Sequence, residues 1–203
     1  MIAVKRLGLT GGIAAGKSEV ARLFVQRGIP VIDMDQLSRE LLDTDKRLQN
    51  QVIESLGTSF LTEGKIDRLK LKNLVFSDPQ KKKLLESLIH PKVREQFEVL
   101  AQKEGTRGHK LVLCEAALLI ESGYGKTLDG LVVVLAPEEL RKSRLKTRDQ
   151  LSDELIERIF QSQVSDQERI QAANYIIQND SKIQTLSHQV EALLALWKHE
   201  GLL

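Results

Sequence analysis

A single cysteine, Cys114, and four histidines scattered at positions 90, 109, 188 and 199 deny this chain several chemistries. One thiol forms neither an internal disulfide nor a cysteine-built zinc site, and it fits a reducing compartment. Histidines so dispersed give no His-built metal centre either. Aromatics make up only 4% of the 203 residues, so no interleaving of aromatic and basic side chains marks a nucleic-acid surface. Thirty basic against 28 acidic residues leave a formal charge of +2, weak support for general polyanion binding. No apolar run approaches the roughly 18 residues of a membrane span. The opening Met1-Ile2-Ala3-Val4-Lys5-Arg6 reaches charge too early for a secretory signal. The expectation is a cytoplasmic protein without nucleic-acid or membrane partners.

With so few aromatics, Leu, Ile, Val and Ala must fill one core, which a chain of this length supports. Five short apolar runs read as strands: 3–9, 30–33, 111–114, 131–135 and 175–177. Their near-continuous hydrophobicity fits strands covered on both faces, and helical intervals between them supply the crossovers of a parallel α/β sheet. Residues 37–110 contain no convincing strand. Helices are expected from Asp45 to about residue 56, over 67–76, from Asp78-Pro79 onward, and again across Val93, Phe97 and Leu100 after a break at His90-Pro91. Some seventy residues between two strands exceed an ordinary connection, so they are expected to form an inserted helical lobe. Helices also follow Pro137 and Ser152. A last one over 182–197 carries Ile183, Leu186, Val190, Leu193, Leu194 and Trp197 as an apolar stripe, docking either on the sheet or against a second copy.

The strongest chemical signal is Gly11-Gly12-Ile13-Ala14-Ala15-Gly16-Lys17-Ser18, a complete phosphate-loop pattern between a strand and an amphipathic helix. Gly11 and Gly16 permit a tight turn, and Gly12 helps the backbone approach phosphates. Successive amides and the helix amino terminus favour anionic oxygens. Lys17 would reach the β- and γ-phosphates, and Ser18 would offer its hydroxyl to magnesium. The motif leaves the acceptor open: water in an ATPase or GTPase, or a hydroxyl in a small-molecule kinase.

Asp33 and Asp35 follow the second strand. If that segment is still extended, they share a face. One carboxylate could then orient or deprotonate an acceptor hydroxyl while the other binds metal-linked water or positions the acceptor; the alternative is that either caps a helix over 36–42. Arg141, Lys142, Arg144, Lys146 and Arg148 place five cations in eight residues with no intervening acid. In a phosphate-loop enzyme such a cluster fits a mobile clamp on transferring phosphate oxygens; otherwise it is a solvated helix face.

In this order the motifs resemble the dephospho-CoA kinase family over nearly the whole chain. The resemblance rests on Gly8-Leu9-Thr10-Gly11-Gly12-Ile13 and the rest of the loop, and on Val31-Ile32-Asp33-Met34-Asp35. It extends through Asp67-Arg68, Ile89-His90-Pro91, Leu118-Leu119 with Glu121, Arg144-Leu145 with Arg148-Asp149, Gln163, and residues 172–179. It implies a P-loop kinase fold with a five-stranded parallel sheet, an inserted substrate lobe and a helical lid. The segments implied are a nucleotide core of 1–36, 111–136 and 172–203, a CoA-binding insertion of 37–110 and a lid region of 137–171. The implied reaction moves ATP's terminal phosphoryl group to the ribose 3′-hydroxyl of dephospho-CoA, giving CoA and ADP, with ATP and magnesium as cofactors.

By matched position the resemblance implies Asp33, Lys17 and Arg144 as catalytic residues, Asp33 orienting or deprotonating the hydroxyl. The donor would be held by residues 11–18 (Gly11, Gly12, Ile13, Ala14, Ala15, Gly16, Lys17, Ser18), Arg148 and Asn179. Asp33, Asp35, Arg68, His90, Leu118 and Glu121 would contact the acceptor, although His90 is equally a structural cap beside Pro91. Glu19 replaces a second hydroxylated residue, Glu115 an aspartate, Ala117 a proline, and Gln150 a small residue or aspartate. A monomer is expected, with a weak oligomer as the alternative. A nucleoside or nucleotide kinase and a slow nucleotide switch are the rival readings.

Overall fold

The computed structural model describes residues 4–180 and 183–203. In chain order its elements are β1 (Lys5–Gly11), α1 (Lys17–Gln26), β2 (Val31–Asp33), α2 (Met34–Thr44), α3 (Lys46–Leu56), β3 (Leu61–Thr62), β4 (Lys65–Ile66), α4 (Arg68–Ser77) and α5 (Pro79–Thr106). Then come β5 (Leu111–Glu115), a 3-10 turn (Tyr124–Thr127), β6 (Gly130–Leu135), α6 (Glu138–Asp149), α7 (Asp153–Gln161), α8 (Asp166–Ala172), β7 (Tyr175–Gln178) and α9 (Ile183–His199). Two compact units result: residues up to Asp33 with Ala101–Leu203, and Met34–Leu100. These divisions fall at 33/34 and 100/101, against 36/37 and 110/111 in the sequence expectation.

The first unit carries a five-stranded sheet in the order β2-β5-β1-β6-β7, each neighbouring pair parallel. All five expected strands are present; Ala3, expected at the start of the first, lies outside the described residues. The inner strands β5 and β6 are buried almost throughout, as their unbroken apolar runs require when both faces are covered. Leu7, Leu9, Val132, Val134 and Ile177 meet Val20, Leu23 and Phe24 of α1 and Leu186, Val190, Leu193 and Trp197 of α9 in one core. The stripe on α9 therefore docks inside its own unit. Phe24 and Trp197 stack with centroids 5.4 Å apart, and Tyr175 meets Trp197 edge-on at 5.6 Å. Each buried ring contributes about 1.5–3 kcal/mol, which makes this corner a main anchor of the sheet.

The second unit follows its local signals closely, with three exceptions. Asp45 caps α3 by accepting from Arg47 N at 2.9 Å and Leu48 N at 3.1 Å. Asp67 caps α4 in the same way, and the Lys70 amide, then the Thr62 hydroxyl, hold its carboxyl below the ordinary carboxylate value. The first exception is the antiparallel hairpin of β3 and β4, with Glu63 and Gly64 turning at positive φ. Its strands are two residues long, too short for any hydrophobic alternation to register. The second is Pro91: no break occurs, and α5 runs through it for 28 residues. An interior proline costs about 3 kcal/mol. Burial of Ile89, Val93 and Phe97 on both sides of it offsets that cost. The third concerns Asp33 and Asp35. Helix α2 begins at Met34, so Asp33 ends a strand while Asp35 lies in a first helical turn, and the extended segment they were to share does not exist.

One helix, α8, was not anticipated. Ser165 accepts from the Glu168 amide at 3.2 Å while Glu168 accepts from the Ser165 amide at 2.8 Å, a reciprocal capping box. Changing Ser165 to alanine should lower unfolding free energy by about 1 kcal/mol. Urea denaturation checks this as a lower midpoint at an unchanged slope; a midpoint at the wild-type value would mean that Glu168 alone secures this helix end.

Candidate active site

The parallel register brings the chemistry to one sheet edge. Glu115, the last residue of β5, pairs with Leu9 of β1 on one side and with Asp33 of β2 on the other. Ligands of open parallel sheets bind outside such carboxyl ends. From β1 the chain turns through residues 12–16 into α1, the Ala15 amide closing on Gly12 O at 3.1 Å. Ala14 stands at φ 56° and Gly16 at φ 95°, both left-handed. A left-handed alanine is strained, so contacts must hold it there.

Those contacts come from outside the loop, one for nearly every residue. The Ile13 amide donates to Gln163 Oε1 at 3.0 Å. Arg144 donates to Ala14 O at 2.9 Å, and Asn179 to Ala15 O at 2.8 Å. Arg144 also reaches Asn179 Oδ1 at 3.3 Å, joining the two braces. A Cβ at Gly12 would stand 2.1 Å from Arg141 Nη1, and one at Gly16 would stand 2.0 Å from Asn179 Nδ2. Glycine is needed at both positions because these braces press against the backbone itself.

Behind Gly12 lie two buried arginines. Arg141 and Arg169 are each 3% exposed and share Asp166, at 2.9 and 2.8 Å. Arg141 packs over the Phe160 ring at 4.8 Å. Burial pulls its guanidinium below the ordinary arginine value and Asp166 opposes that, so it remains a cation. Of the five basic residues on α6, then, Arg141 is a core ion and Arg144 a loop brace. Lys142 bridges Glu138 at 2.8 Å and Glu157 at 2.5 Å, and these bonds raise its ammonium well above the ordinary lysine value. Lys146 meets Asp153 at 2.5 Å, and Arg148 forks onto Asp149 at 2.9 and 2.7 Å. All five are tied to neighbours, not spread as a free cationic face.

On the loop's mouth, Lys17 is half-buried and donates to Gly11 O at 3.0 Å, which spans the cradle with its ammonium. Ser18 Oγ lies 3.2 Å from Glu115 Oε1. A hydroxyl and a carboxylate form a hard-oxygen pair of the kind magnesium takes, and the extra methylene of Glu115 still reaches the serine. Among the described residues no group of three His, Cys, Asp or Glu could hold a metal by itself, so such an ion would share these two donors with nucleotide oxygens.

A pocket of about 400 Å³ opens beside the loop, lined by residues that include Gly16, Arg144, Thr147, Arg148, Asn179 and Ile183. It gathers the expected donor residues Arg144, Arg148 and Asn179 around Ala14 and Gly16. Glu19, the departure after Ser18, also lines it; a hydrogen bond from Arg22 holds its carboxyl below the ordinary value.

The expected acceptor residues are placed as follows. Leu118 is exposed, next to the buried Leu119. Glu121 accepts from the Val164 amide at 3.4 Å and lies 3.5 Å from Arg169, so its carboxylate serves the buried arginine cluster. Within the second unit, Asp35 and His90 are exposed, on α2 and α5. Arg68 bonds both carboxylate oxygens of Asp43 and the Arg39 carbonyl. Asp166 and Arg169 were not among the expected site residues, Glu115 entered only as a departure from the family pattern, and Arg141 was expected as one cation of the clamp on α6, not as a buried ion. Arg141 sits four positions from the buried Leu145, and a cation in that register on an apolar face is the one signal that could have marked it.

The family model for dephospho-CoA kinase matches residues 5–185. A dephospho-CoA kinase of Fusobacterium nucleatum is 37% identical over 186 residues, spanning 91% of this chain and 94% of its own. Among solved structures, a Thermus thermophilus protein superposes with a TM-score of 0.78 at 32% identity, over 95% of this chain and 97% of its own. The dephospho-CoA kinase from Campylobacter jejuni does so with a TM-score of 0.73 at 26% identity, over 98% of both. A phosphate loop at the carboxyl edge of a parallel sheet is the architecture such an enzyme needs, and the chain belongs to the dephospho-CoA kinase family, which catalyses the final ATP-dependent step of coenzyme A biosynthesis.

Proposed function

We propose that this chain transfers the terminal phosphoryl group of ATP directly to the ribose 3′-hydroxyl of dephospho-CoA, with Asp33 receiving the hydroxyl proton. The observation that carries this is the register of Asp33 beside Glu115, itself 3.2 Å from Ser18, at the sheet edge from which the phosphate loop departs. In this reading the amides of residues 16–18, at the start of α1, hold the donor phosphates. Lys17 leaves Gly11 O for the β- and γ-phosphate oxygens. Ser18 and Glu115 would hold magnesium, which supplies charge neutralisation at those oxygens. Arg144 and Ile183 offer a guanidinium plane and an apolar wall to the base, with Asn179 and Arg148 also lining the pocket.

The acceptor oxygen forms its bond to phosphorus as the bridge to the β-phosphate breaks. The proton passes to the Asp33 carboxylate, and ADP leaves. Positioning and electrostatics carry such a transfer without a covalent enzyme intermediate. Asp35 and residues 37–110, including Arg68 and His90, would supply acceptor contacts, as would Leu118, with Glu121 acting through Arg169, and residues 137–171 would form the lid.

The purified chain given ATP, magnesium and dephospho-CoA should yield CoA and ADP one for one, with adenosine or AMP replacing dephospho-CoA poorly. ADP release that ignores dephospho-CoA would identify a nucleotide hydrolase instead.

A further inference from the structure

The side chain on the Ile13 amide belongs to none of the groups that bind donor, acceptor or metal in the reading above. Gln163 stands between the end of α7 and the Ser165 cap of α8, 150 positions from the loop it contacts. Its Oε1 takes the Ile13 N–H at 3.0 Å and also faces Arg169 Nη2 at 3.4 Å. Arg169 is itself fixed by Asp166 and Glu121, and Asp166 fixes Arg141, whose guanidinium abuts Gly12. The oxygen therefore reaches the loop beside a mutually braced set of ions whose two arginines are buried, rather than from a free surface side chain. On the loop side it meets the residue just before Ala14, whose left-handed backbone is the strained point of the turn.

We infer that Gln163 is a positioning residue for phosphoryl transfer: by holding the Ile13 amide it keeps the phosphate loop in its receiving shape before nucleotide arrives. A neutral acceptor suits the task, because it satisfies the N–H without setting an unshared negative charge beside bound phosphates. Losing the bond leaves the loop to sample other turns, and the binding energy of ATP must then restore the order. The effect falls on the donor side alone.

This inference rests on residues 11–18 being the ATP site, so ADP titration of the wild-type protein comes first and tests that reading by itself. Gln163→Met keeps the side chain's length and removes the acceptor; Gln163→Ala, measured alongside, leaves space instead of a mismatched group. Both should raise KM for ATP and weaken ADP binding by about five- to tenfold, the worth of one hydrogen bond. KM for dephospho-CoA should stay within twofold. Gln163→Glu retains an acceptor, so in the nucleotide-free protein the Ile13 amide should stay as slow to exchange with solvent as in wild type in this variant and exchange faster in Q163M. Unchanged ADP affinity in Q163M and Q163A overturns the inference. So does tighter binding, which would make Gln163 a plug that phosphates displace. Equal losses toward both substrates with a matching fall in melting temperature would reduce it to a structural tie.

Discussion

Replacing Lys17 by alanine should lower kcat/KM for CoA formation by about a thousandfold, the scale set by removing one charged group aimed at developing phosphate charge. The Lys17 ammonium donates to Gly11 O at 3.0 Å. Triphosphate oxygens carry full negative charge and bind an ammonium more strongly than a neutral carbonyl does. The gain is larger in the transition state, where charge gathers on the transferred group's oxygens. K17A should therefore lose more in kcat than in ADP affinity. Since Lys17 leaves the braces on Ile13, Ala14 and Ala15 untouched, the melting temperature should move by no more than about 2 °C. Steady-state kinetics with ADP titration separate these effects. Turnover within tenfold of wild type would remove Lys17 from the mechanism and with it the placing of the donor phosphates.

What was readable in the chain, and what was not, follows the range of the interactions. The loop 11–18, the cap Asp45, the Asp78-Pro79 helix start and the five apolar strands are local patterns, each complete within about eight residues. Pro91 was misread because the rule for proline is local while the burial of Ile89, Val93 and Phe97 that overrides it is not. The hairpin of β3 and β4 is too short for any period to appear. The six side chains that shape the phosphate loop from outside are the instructive case. Arg144 and Asn179 were expected at the donor site through family resemblance, yet nothing in their spacing reveals that they grip Ala14 O and Ala15 O. Gln163, Asp166, Arg169 and Arg141 meet only once the chain has folded. The basic run on α6 read as a mobile clamp or a solvated face because three of its partners lie outside the helix: Glu157 and Asp153 on α7, and Asp166 on α8.

Asp33 is the position at which catalysis and architecture make opposite demands, and Asp33→Asn separates them. The residue closes β2 and stands at the N-cap position of α2, whose first residue is Met34. Asparagine caps a helix as well as aspartate does, so a purely architectural Asp33 predicts a variant of unchanged stability and activity. Asparagine cannot take a proton. If the carboxylate receives the acceptor's hydroxyl proton, D33N should lose about a thousandfold in kcat, within the span of general-base deletions. Its KM for ATP should stay within about threefold, because the braces and amides of the loop are intact. Melting temperature should not change. A kcat within tenfold of wild type would leave hydroxyl activation to another group at the same sheet edge. Glu115, in register with Asp33 and 3.2 Å from Ser18, would then be the first to test.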